Sequence, residues 1–200
     1  LPFYNTTNNK PQRFRYNKQF LMRIISGLYK SRKILAPKNL PVRPTTDMAK
    51  ESLFNILNNH YYLDDISVID LFSGTGNISY EFASRGTKNI TCVDQDFGCV
   101  KFINQTANKF DMPLQVIKSD VFKFLEKTKH QAHIIFADPP YNFSVEQFSK
   151  IPEIVFKNNI LLEQGVLIVE HSKHTDLSNI EHFDYSKSYG GNMFSFFEKK

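Results

Sequence analysis

Short apolar segments alternate with helical ones from residue 66 onward, and this alternation constrains the fold more than any other feature. The apolar segments have the length of strands and lie at Ser67–Leu71, Ile90–Val93, Leu114–Ile117, His133–Ala137 and Val166–Val169. The helical segments between them lie around Ile78–Ser84, Gly98–Lys109, Val121–Thr128 and Val145–Phe156. Apolar strands separated by helices are typical of a parallel sheet that is covered on both faces. The pattern therefore predicts an α/β fold.

Residues 180–198 depart from this alternation. Two segments with strand character, 180–188 and 193–198, flank the tetrapeptide Tyr189-Gly190-Gly191-Asn192. A short glycine-containing turn between two such segments is typical of a β-hairpin. We therefore expect a hairpin that closes the mainly parallel sheet with antiparallel strands.

The N-terminal part of the chain has a different composition. Residues 1–21 are rich in Asn, Thr, Lys and Arg without any periodicity, and we interpret them as a flexible extension. Basic and apolar side chains then alternate around Gly27, which predicts a short hairpin, and Thr45 or Thr46 can cap the helix that follows. The expected organisation is an extension at 1–21, a basic hairpin and helix at 22–64, and the α/β domain at 65–200.

Basic charge is concentrated at one end of the chain. Residues 1–50 contain 11 Lys and Arg but a single acid, whereas residues 51–200 contain 14 Lys and Arg and 19 acids. A basic front on an acidic body predicts a polyanionic partner, bound with an affinity that falls as salt rises. The alternative is a solvated basic tail.

The remaining composition is that of an ordinary globular chain. It is 41% hydrophobic, and its longest apolar runs are far shorter than the roughly 20 residues of a membrane span, so no membrane segment is expected. Cys92 and Cys99 match no common zinc spacing, and the pair His171 and His174 has no third ligand in view. We therefore expect no metal site and a cytoplasmic location, since so few thiols suit a reducing compartment.

A strand runs into a Gly-x-Gly turn in the segment Val68-Ile69-Asp70-Leu71-Phe72-Ser73-Gly74-Thr75-Gly76-Asn77. Such glycines let the backbone turn tightly against a ligand, and ligands bind beyond the carboxyl ends of strands in these sheets. A dinucleotide fingerprint would require a third small residue where Ser79 stands, and the carboxylate of Asp70 would repel a pyrophosphate. The same carboxylate attracts an ammonium group, so the loop favours a cofactor with an amino-acid moiety such as methionine.

Two further acids follow neighbouring strands. Asp94 ends the second strand, where its carboxylate can accept hydrogen bonds from a ribose diol, a device that dinucleotide folds also use. Asp120 follows the third strand, where it can meet an adenine amino group or, alternatively, cap a helix. The predicted cofactor-binding set is Asp70, Phe72, Gly74, Gly76, Asp94, Gln95, Ser119 and Asp120.

The tetrapeptide Asp138-Pro139-Pro140-Tyr141 follows the fourth strand directly, on the same edge of the sheet as the glycine turn. The exocyclic amine of a nucleobase is a poor nucleophile because its lone pair is delocalised into the ring. A carboxylate and a backbone carbonyl fixed by proline can accept both N–H bonds and stabilise the positive charge that develops on nitrogen. Tyr141 offers a face on which an extruded base can stack. These four residues are therefore the predicted catalytic set.

With these residues in place, the chain resembles the class I methyltransferases and, more narrowly, the RsmD family, which methylates the N2 amine of a guanine in 16S ribosomal RNA. The resemblance covers about residues 22–200. It rests on Met22–Gly27, Arg43–Asp47, Glu51–Asn55, Asp70–Gly76, Asp138–Tyr141, Tyr189-Gly190 and Phe196–Glu198. Two features depart from the family pattern: the residues ahead of Met22, and Asp94 where a Glu is common.

The resemblance implies a Rossmann-like domain with a seven-stranded sheet, S-adenosylmethionine as the cofactor, and 16S rRNA or the small ribosomal subunit as the partner of a monomeric enzyme. It also implies that RNA is held by Arg23, Lys30, Arg32, Lys33 and Arg43. Three alternatives remain: a DNA adenine or cytosine amino-methyltransferase, a non-catalytic RNA-binding domain that keeps the fold, and a nicotinamide oxidoreductase. The first would need a separate region to recognise base edges in the major groove, for which the chain offers little room, so DNA is not the expected substrate.

Overall fold

The computed structural model describes residues 19–37, 39–41, 45–189 and 191–199. Its helices are α1 (Asp47–His60), α2 (Asn77–Ser84), α3 (Phe97–Phe110), α4 (Val121–Lys127) and α5 (Val145–Lys157). Its strands are β1 (Gln19–Arg23), β2 (Lys33–Pro37), β3 (Ser67–Leu71), β4 (Asn89–Asp94), β5 (Leu114–Lys118), β6 (Ala132–Ala137), β7 (Leu161–Ser172), β8 (Phe183–Tyr189) and β9 (Asn192–Glu198). No helix in these ranges has the length and apolarity that crossing a bilayer requires.

Seven of these strands form one sheet in the order β5-β4-β3-β6-β7-β9-β8. The strands from β5 to β7 are parallel, whereas β9 runs antiparallel to both β7 and β8. The predicted mainly parallel, seven-stranded sheet with an antiparallel C-terminal hairpin is therefore confirmed. Because β3 lies beside both β4 and β6, the carboxyl ends of these three strands meet at the centre of one edge.

Alternate residues of the sheet strands enter two separate apolar cores. Val68 of β3 packs in a core with helices α1, α2 and α3, whereas its neighbour Ile69 packs on the opposite face with α4 and α5. On β7, Ile168 and Val169 divide in the same way. Both faces of the parallel strands are therefore buried, which explains why the strands are apolar throughout.

Strand bounds differ from the predicted ones by more than one residue at three places. Strand β7 starts at Leu161 rather than Val166, because a register shift against β6 and a positive φ of 58° at Gln164 interrupt its pattern. Strand β8 starts at Phe183, since Ile180 lies in a turn. Strand β1 begins at Gln19 and pairs with β2, so the paired region reaches ahead of the expected boundary at residue 22. The rest of the predicted flexible extension lies outside the described residues.

Strands β1 and β2 form the predicted basic N-terminal hairpin, a separate two-stranded sheet. The turn between them docks on the end of α2: the backbone N–H of Leu28 donates to the carbonyl of Ser84 over 2.7 Å, and that of Tyr29 donates to the Ser84 hydroxyl over 3.0 Å. Gly27 has a φ of +82°, and a Cβ there would lie 1.8 Å from the Ser84 carbonyl oxygen. Only glycine fits this close approach.

Candidate active site

A cavity of about 650 Å³ opens at the carboxyl ends of β3, β4, β5 and β6. It brings together ten of the twelve residues that were predicted to bind the cofactor or to take part in catalysis: Asp70, Phe72, Gly74, Asp94, Gln95, Asp120, Asp138, Pro139, Pro140 and Tyr141. Gly76 and Ser119 are not among the residues that line it. Segments that are far apart in the chain thus converge on one site.

Asp70 lies at the end of β3 and is almost fully buried. Its Oδ2 accepts a hydrogen bond from the Ser79 hydroxyl of α2 over 2.5 Å. Burial raises the pKa of Asp70 to about 7, with a smaller contribution from the charge of Asp94, whereas the hydrogen bonds of Ser79 lower it. The carboxylate is therefore held in place and gains stability when a cation approaches it.

Gly76 ends the loop between β3 and α2 with a φ of +79°. A Cβ at this position would lie 2.9 Å from the ring of Tyr80. The glycine therefore serves the tight turn and the packing of α2 rather than the wall of the cavity.

Both carboxylate oxygens of Asp94 are anchored by backbone amides. Oδ2 accepts from Gly74 N–H over 2.8 Å, and Oδ1 accepts from Asp96 N–H over 2.8 Å. Burial raises the pKa of Asp94, and these hydrogen bonds lower it in part. Each oxygen can accept a further hydrogen bond, so the anchored carboxylate suits a diol such as that of a ribose.

Asp120 lines the cavity and also caps a helix. One of its oxygens, Oδ1, accepts from Lys123 N–H at the start of α4 over 3.0 Å. Asp96 does the same for α3, accepting from Cys99 N–H over 2.8 Å. The N–H of Ser119 donates to the carbonyl of Asp94 over 3.0 Å. The helix cap expected of Asp120 is therefore confirmed, and its contact with an adenine amino group stays a prediction.

The tetrapeptide Asp138–Tyr141 forms the wall after β6. The N–H of Asp138 donates to the Leu71 carbonyl at the end of β3 over 3.3 Å, which ties this loop to the cofactor loop. Pro139 is buried, and Tyr141 is 42% exposed. Burial raises the pKa of Asp138 well above its ordinary value, and the nearby charges of Glu170 and Asp70 raise it further.

Phe143 was not among the predicted residues, although it lines the cavity. Its ring stacks on Phe122 of α4 with centroids 6.2 Å apart and packs edge-on against Phe72 at 5.8 Å. These three rings give the acidic cavity one apolar wall, which suits the flat face of an aromatic base. The sequence offered one signal for this role, because Phe143 comes only two residues after Tyr141 of the predicted catalytic set.

A buried polar network behind the cavity was also missed. Lys50 of α1 is fully buried, and its Nζ donates to the carbonyl of Arg23, to Asn77 Oδ1 and to Glu81 Oε1 at 2.8–3.0 Å. Asn77 in turn donates to the carbonyl of Thr45 over 3.0 Å. This network connects the N-terminal hairpin, α1 and α2 to the rim of the cavity.

The charges of the cavity indicate which cofactor it fits. Five carboxylates line it, and none of its described lining residues is Lys, Arg or His: the acids are Asp70, Asp94, Asp96, Asp120 and Asp138. A dinucleotide would bring its pyrophosphate into this negative field, whereas an ammonium and a sulfonium are attracted by it. The residues present therefore fit S-adenosylmethionine.

Four of the five residues predicted to hold RNA lie on the N-terminal hairpin. Arg23 ends β1, Lys33 begins β2, and Lys30 and Arg32 lie between the strands, all with exposed side chains. Arg23 forms an ion pair with Asp47, with its Nε 2.5 Å from Asp47 Oδ2. The fifth residue, Arg43, lies outside the described residues.

His171, one of the histidines considered as a metal ligand, has a structural partner. His171 Nε2 lies 2.7 Å from the Ser195 hydroxyl, inside the sheet. In the described part of the chain, no group of three His, Cys, Asp or Glu side chains is arranged to hold a metal ion.

Comparison with known proteins places the chain in a family. A family model described as "Conserved hypothetical protein 95" matches residues 22–198. YlbH of Bacillus subtilis is 31% identical over 161 residues, which cover 78% of this chain and 85% of that protein. "Ribosomal RNA small subunit methyltransferase D" of Haemophilus influenzae is 29% identical and is matched over 83% of this chain and 86% of its own length.

A solved structure has the same fold. The Thermus thermophilus 16S rRNA N2 methyltransferase RsmC, in complex with AdoMet and guanosine, aligns with a TM-score of 0.69 at 19% identity, over 92% of this chain and 50% of that one. The match of the family model over nearly the whole described chain, together with the acidic cavity, identifies the chain as a member of the RsmD family of methyltransferases.

Proposed function

We propose that this enzyme transfers a methyl group from S-adenosylmethionine to the exocyclic N2 of a guanine in the 16S RNA of the small ribosomal subunit. The observation that carries the proposal is the loop Asp138–Tyr141, which faces the same acid-lined cavity as Asp70 and Asp94. The name of the Haemophilus influenzae relative supports the RNA, and the guanosine in the RsmC structure supports the base.

Three acids divide the binding of the cofactor among them. Asp70 attracts the ammonium of the methionine moiety, and Asp94 accepts hydrogen bonds from the ribose hydroxyls. Asp120 uses the oxygen that does not cap α4 to accept from the adenine amine, while Phe72, Gly74 and Gln95 complete the walls. When bound, S-adenosylmethionine supplies an electrophilic methyl group on a positively charged sulfur.

The loop after β6 activates the amine. The carboxyl of Asp138 and a carbonyl of the proline pair accept the two N–H bonds of the guanine amine, so that the nitrogen lone pair is freed from the ring. Tyr141 and Phe143 hold the flat base between them. Holding the nitrogen and the methyl group in line supplies much of the remaining acceleration. The carboxyl of Asp138 accepts the proton that the nitrogen releases.

The basic hairpin supplies affinity for the RNA rather than chemistry. Lys30, Arg32 and Lys33 are exposed on one small docked element, which suits contacts with phosphates on a structured RNA. We propose further that the enzyme acts as a monomer in the cytoplasm, where ribosomal subunits are present and its two buried thiols stay reduced.

The test is methyl transfer from radiolabelled S-adenosylmethionine to small subunits that lack the modification, to protein-free 16S RNA and to duplex DNA. Wild type and Asp138→Ala are compared, and binding of S-adenosylhomocysteine is measured for both. We expect N2-methylguanine in RNA and a loss of about 10²–10³ in kcat for the variant, with cofactor binding retained. Label in DNA would instead establish an amino-methyltransferase of DNA, and cofactor binding without label in any acceptor would favour a non-catalytic binder.

A further inference from the structure

Glu170 is a buried acid for which the proposed function has no use. It lies on β7 with 1% of its surface exposed. Strands β6 and β7 are parallel, and Ala137 pairs with Val169 at the end of their ladder. The residue that follows in each case is an acid: Glu170 continues β7, and Asp138 comes directly after β6. The register therefore places Glu170 beside Asp138, which lines the cavity.

The two acids also point to the same face of the sheet. Phe136 and Ile168, two residues before each of them, pack in the core with α1 and α2. Successive side chains of a strand alternate between faces, so Asp138 and Glu170 share the face of Phe136. The neighbouring His171 points to the other face, where it packs on Phe148 and bonds to Ser195.

Neutral donors hold the carboxylate of Glu170. The Thr45 hydroxyl donates to Oε2 over 3.1 Å, and the Asn192 amide donates to Oε1 over 2.6 Å. Hydrogen bonds of this kind favour the ionised form of a carboxyl group. Thr45 precedes α1 and Asn192 begins β9, so two distant parts of the chain converge on Glu170.

The charged groups around this pair are mostly acids. Asp70 faces it from β3, and it contributes with Glu170 to raising the pKa of Asp138. From α1 and α2, Lys50 and Glu81 belong to the network described above, with Lys50 Nζ 3.0 Å from Glu81 Oε1. Glu170 is buried and Asp138 is half-buried. Two adjacent carboxyl groups in such a site do not both ionise easily, since like charges repel strongly where water is largely excluded.

We propose that Asp138 and Glu170 form a carboxyl pair that holds one proton in the working enzyme, with Glu170 as the positioning residue for Asp138. The proton lies on Asp138 and is shared towards Glu170, because Thr45 and Asn192 stabilise the charge on Glu170. This inference rests on the proposed function, since it assigns the state in which Asp138 meets the guanine amine.

The pair defines what Asp138 offers to the substrate. Its protonated oxygen is turned to Glu170, and its carbonyl oxygen is left to accept an N–H of the amine. As the bond from nitrogen to methyl forms, the bond from sulfur to methyl breaks and its electrons stay on sulfur. The proton that then leaves nitrogen is accepted by the pair, which still carries one negative charge, and passes to water.

The closing experiment first measures the proton without any catalysis. Carboxyl carbons of protein labelled with ¹³C in Asp and Glu are followed by NMR from about pH 3 to about pH 10, a window that spans the ordinary and raised pKa values of carboxyl groups. Wild type, Asp138→Asn, Glu170→Gln and the control Glu163→Gln are compared. Glu163 is an exposed acid on the same strand, so its variant makes the same chemical change away from the cavity.

Besides the carboxyl of Asp70, whose pKa is raised to about 7, we expect a second carboxyl that is protonated at neutral pH in wild type and in Glu163→Gln. This second signal is missing from Asp138→Asn and titrates at lower pH in Glu170→Gln. An Asp138 signal that titrates identically with and without Glu170 overturns the proposal. Since this readout needs no substrate, it remains decisive even if guanine proves to be the wrong acceptor.

The second readout is the pH profile of kcat on the RNA that accepts label. In wild type and Glu163→Gln the rate falls on the alkaline side, when the shared proton is lost and both carboxylates repel. Glu170→Gln and Asp138→Asn each carry at most one negative charge here, so both lose this alkaline limb even though their rates are lower. An alkaline limb that persists in both variants reduces Glu170 to a purely structural role.

Discussion

Ser79 of α2 donates its hydroxyl hydrogen to Asp70 of β3 over 2.5 Å, while the thiol of Cys92 on β4 lies 3.0 Å from the same hydroxyl. The residue at position 79 is the one whose identity argues against a dinucleotide fingerprint in the sequence. In the structure it has a positive role, because it fixes the orientation of the carboxylate that faces the cofactor cavity. One hydroxyl thus links a strand, a helix and the neighbouring strand.

The raised pKa of Asp70 predicts that cofactor binding releases protons. In the free protein this pKa is about 7, and a bound ammonium lowers it by favouring the charged form. At about pH 6.5, S-adenosylhomocysteine should therefore bind with proton release, seen by calorimetry as an enthalpy that depends on the buffer. Asp70→Asn should weaken binding and remove this dependence, and the exposed Asp65→Asn should keep it.

The same shift sets how stability of the free protein depends on pH. The folded-state pKa of Asp70 lies above the ordinary value of 3.8, so the folded protein binds the extra proton. The stability that this group contributes is fully present below about pH 4 and is lost as pH rises through about 7. Urea unfolding of wild type between these limits should show a decline that is smaller in Asp70→Asn. Identical slopes for both proteins would contradict the shift.

Replacing Gly27 should loosen the hairpin without damaging the cavity. A Cβ there meets the Ser84 carbonyl at 1.8 Å, and φ is +82°. We expect Gly27→Ala to lower stability by about 2 kcal/mol, or a fall in Tm of roughly 4–8 °C, and to weaken RNA binding. Gly191→Ala is the matched control, because no atom lies within 4 Å of its added Cβ. Equal Tm values for the two variants would show that the turn is free to move.

The hairpin cations should act on RNA alone. Arg32 and Lys33 are exposed, and each phosphate contact contributes about 0.7–0.9 to the slope of log affinity against log salt. Arg32→Ala with Lys33→Ala should weaken RNA binding and reduce this slope by about 1–2, measured by filter binding at several salt concentrations. Lys127→Ala with Lys129→Ala, at the end of α4 on the opposite face of the sheet, should leave the slope unchanged. Loss of cofactor affinity in the hairpin variant would refute its assignment.

Replacing Lys50 should lower the free energy of unfolding, and the loss should depend on whether its partner Glu81 is also replaced. Its ammonium is buried against Glu81, which also pairs with Arg85. Lys50→Met leaves the buried carboxylate of Glu81 with Arg85 as its cationic partner. We expect the free energy of unfolding to fall by about 3 kcal/mol. Lys50→Met combined with Glu81→Gln should lose less than the sum of the two single changes, measured by urea unfolding. Simple additivity would mean that the two groups do not interact.

Much of the fold could be predicted from the sequence because its signals are local. Each parallel strand is an apolar run bounded by polar turns, and each helix shows its own period. The edge of the sheet that holds the site follows from the same reasoning, since residues just after parallel strands must meet there. This is why Asp70, Asp94 and Asp138 could be placed together before the structure was known.

The parts that escaped prediction depend on register and on contacts between distant segments. Nothing near Glu170 in the sequence indicates that Thr45 and Asn192 will bind it, because these residues come together only when β7, β9 and the segment before α1 pack. Thr45 and Thr46 looked equivalent as helix caps, yet Thr46 caps α1 and Thr45 turns to the cavity. The bulge in β7 hid the first part of that strand for a similar reason.

The position of β9 between β7 and β8 has a consequence for biosynthesis. A ribosome delivers a chain from its N-terminus, so β9 emerges after every other described strand, yet it must insert between two of them. It also brings Asn192, which binds Glu170 beside the catalytic loop. While the nascent protein lacks β9, its cofactor loop is present, but β7 and β8 are not joined and Glu170 lacks its hydrogen bond from Asn192. The edge of the sheet that holds Glu170 is therefore complete only after β9 has joined it.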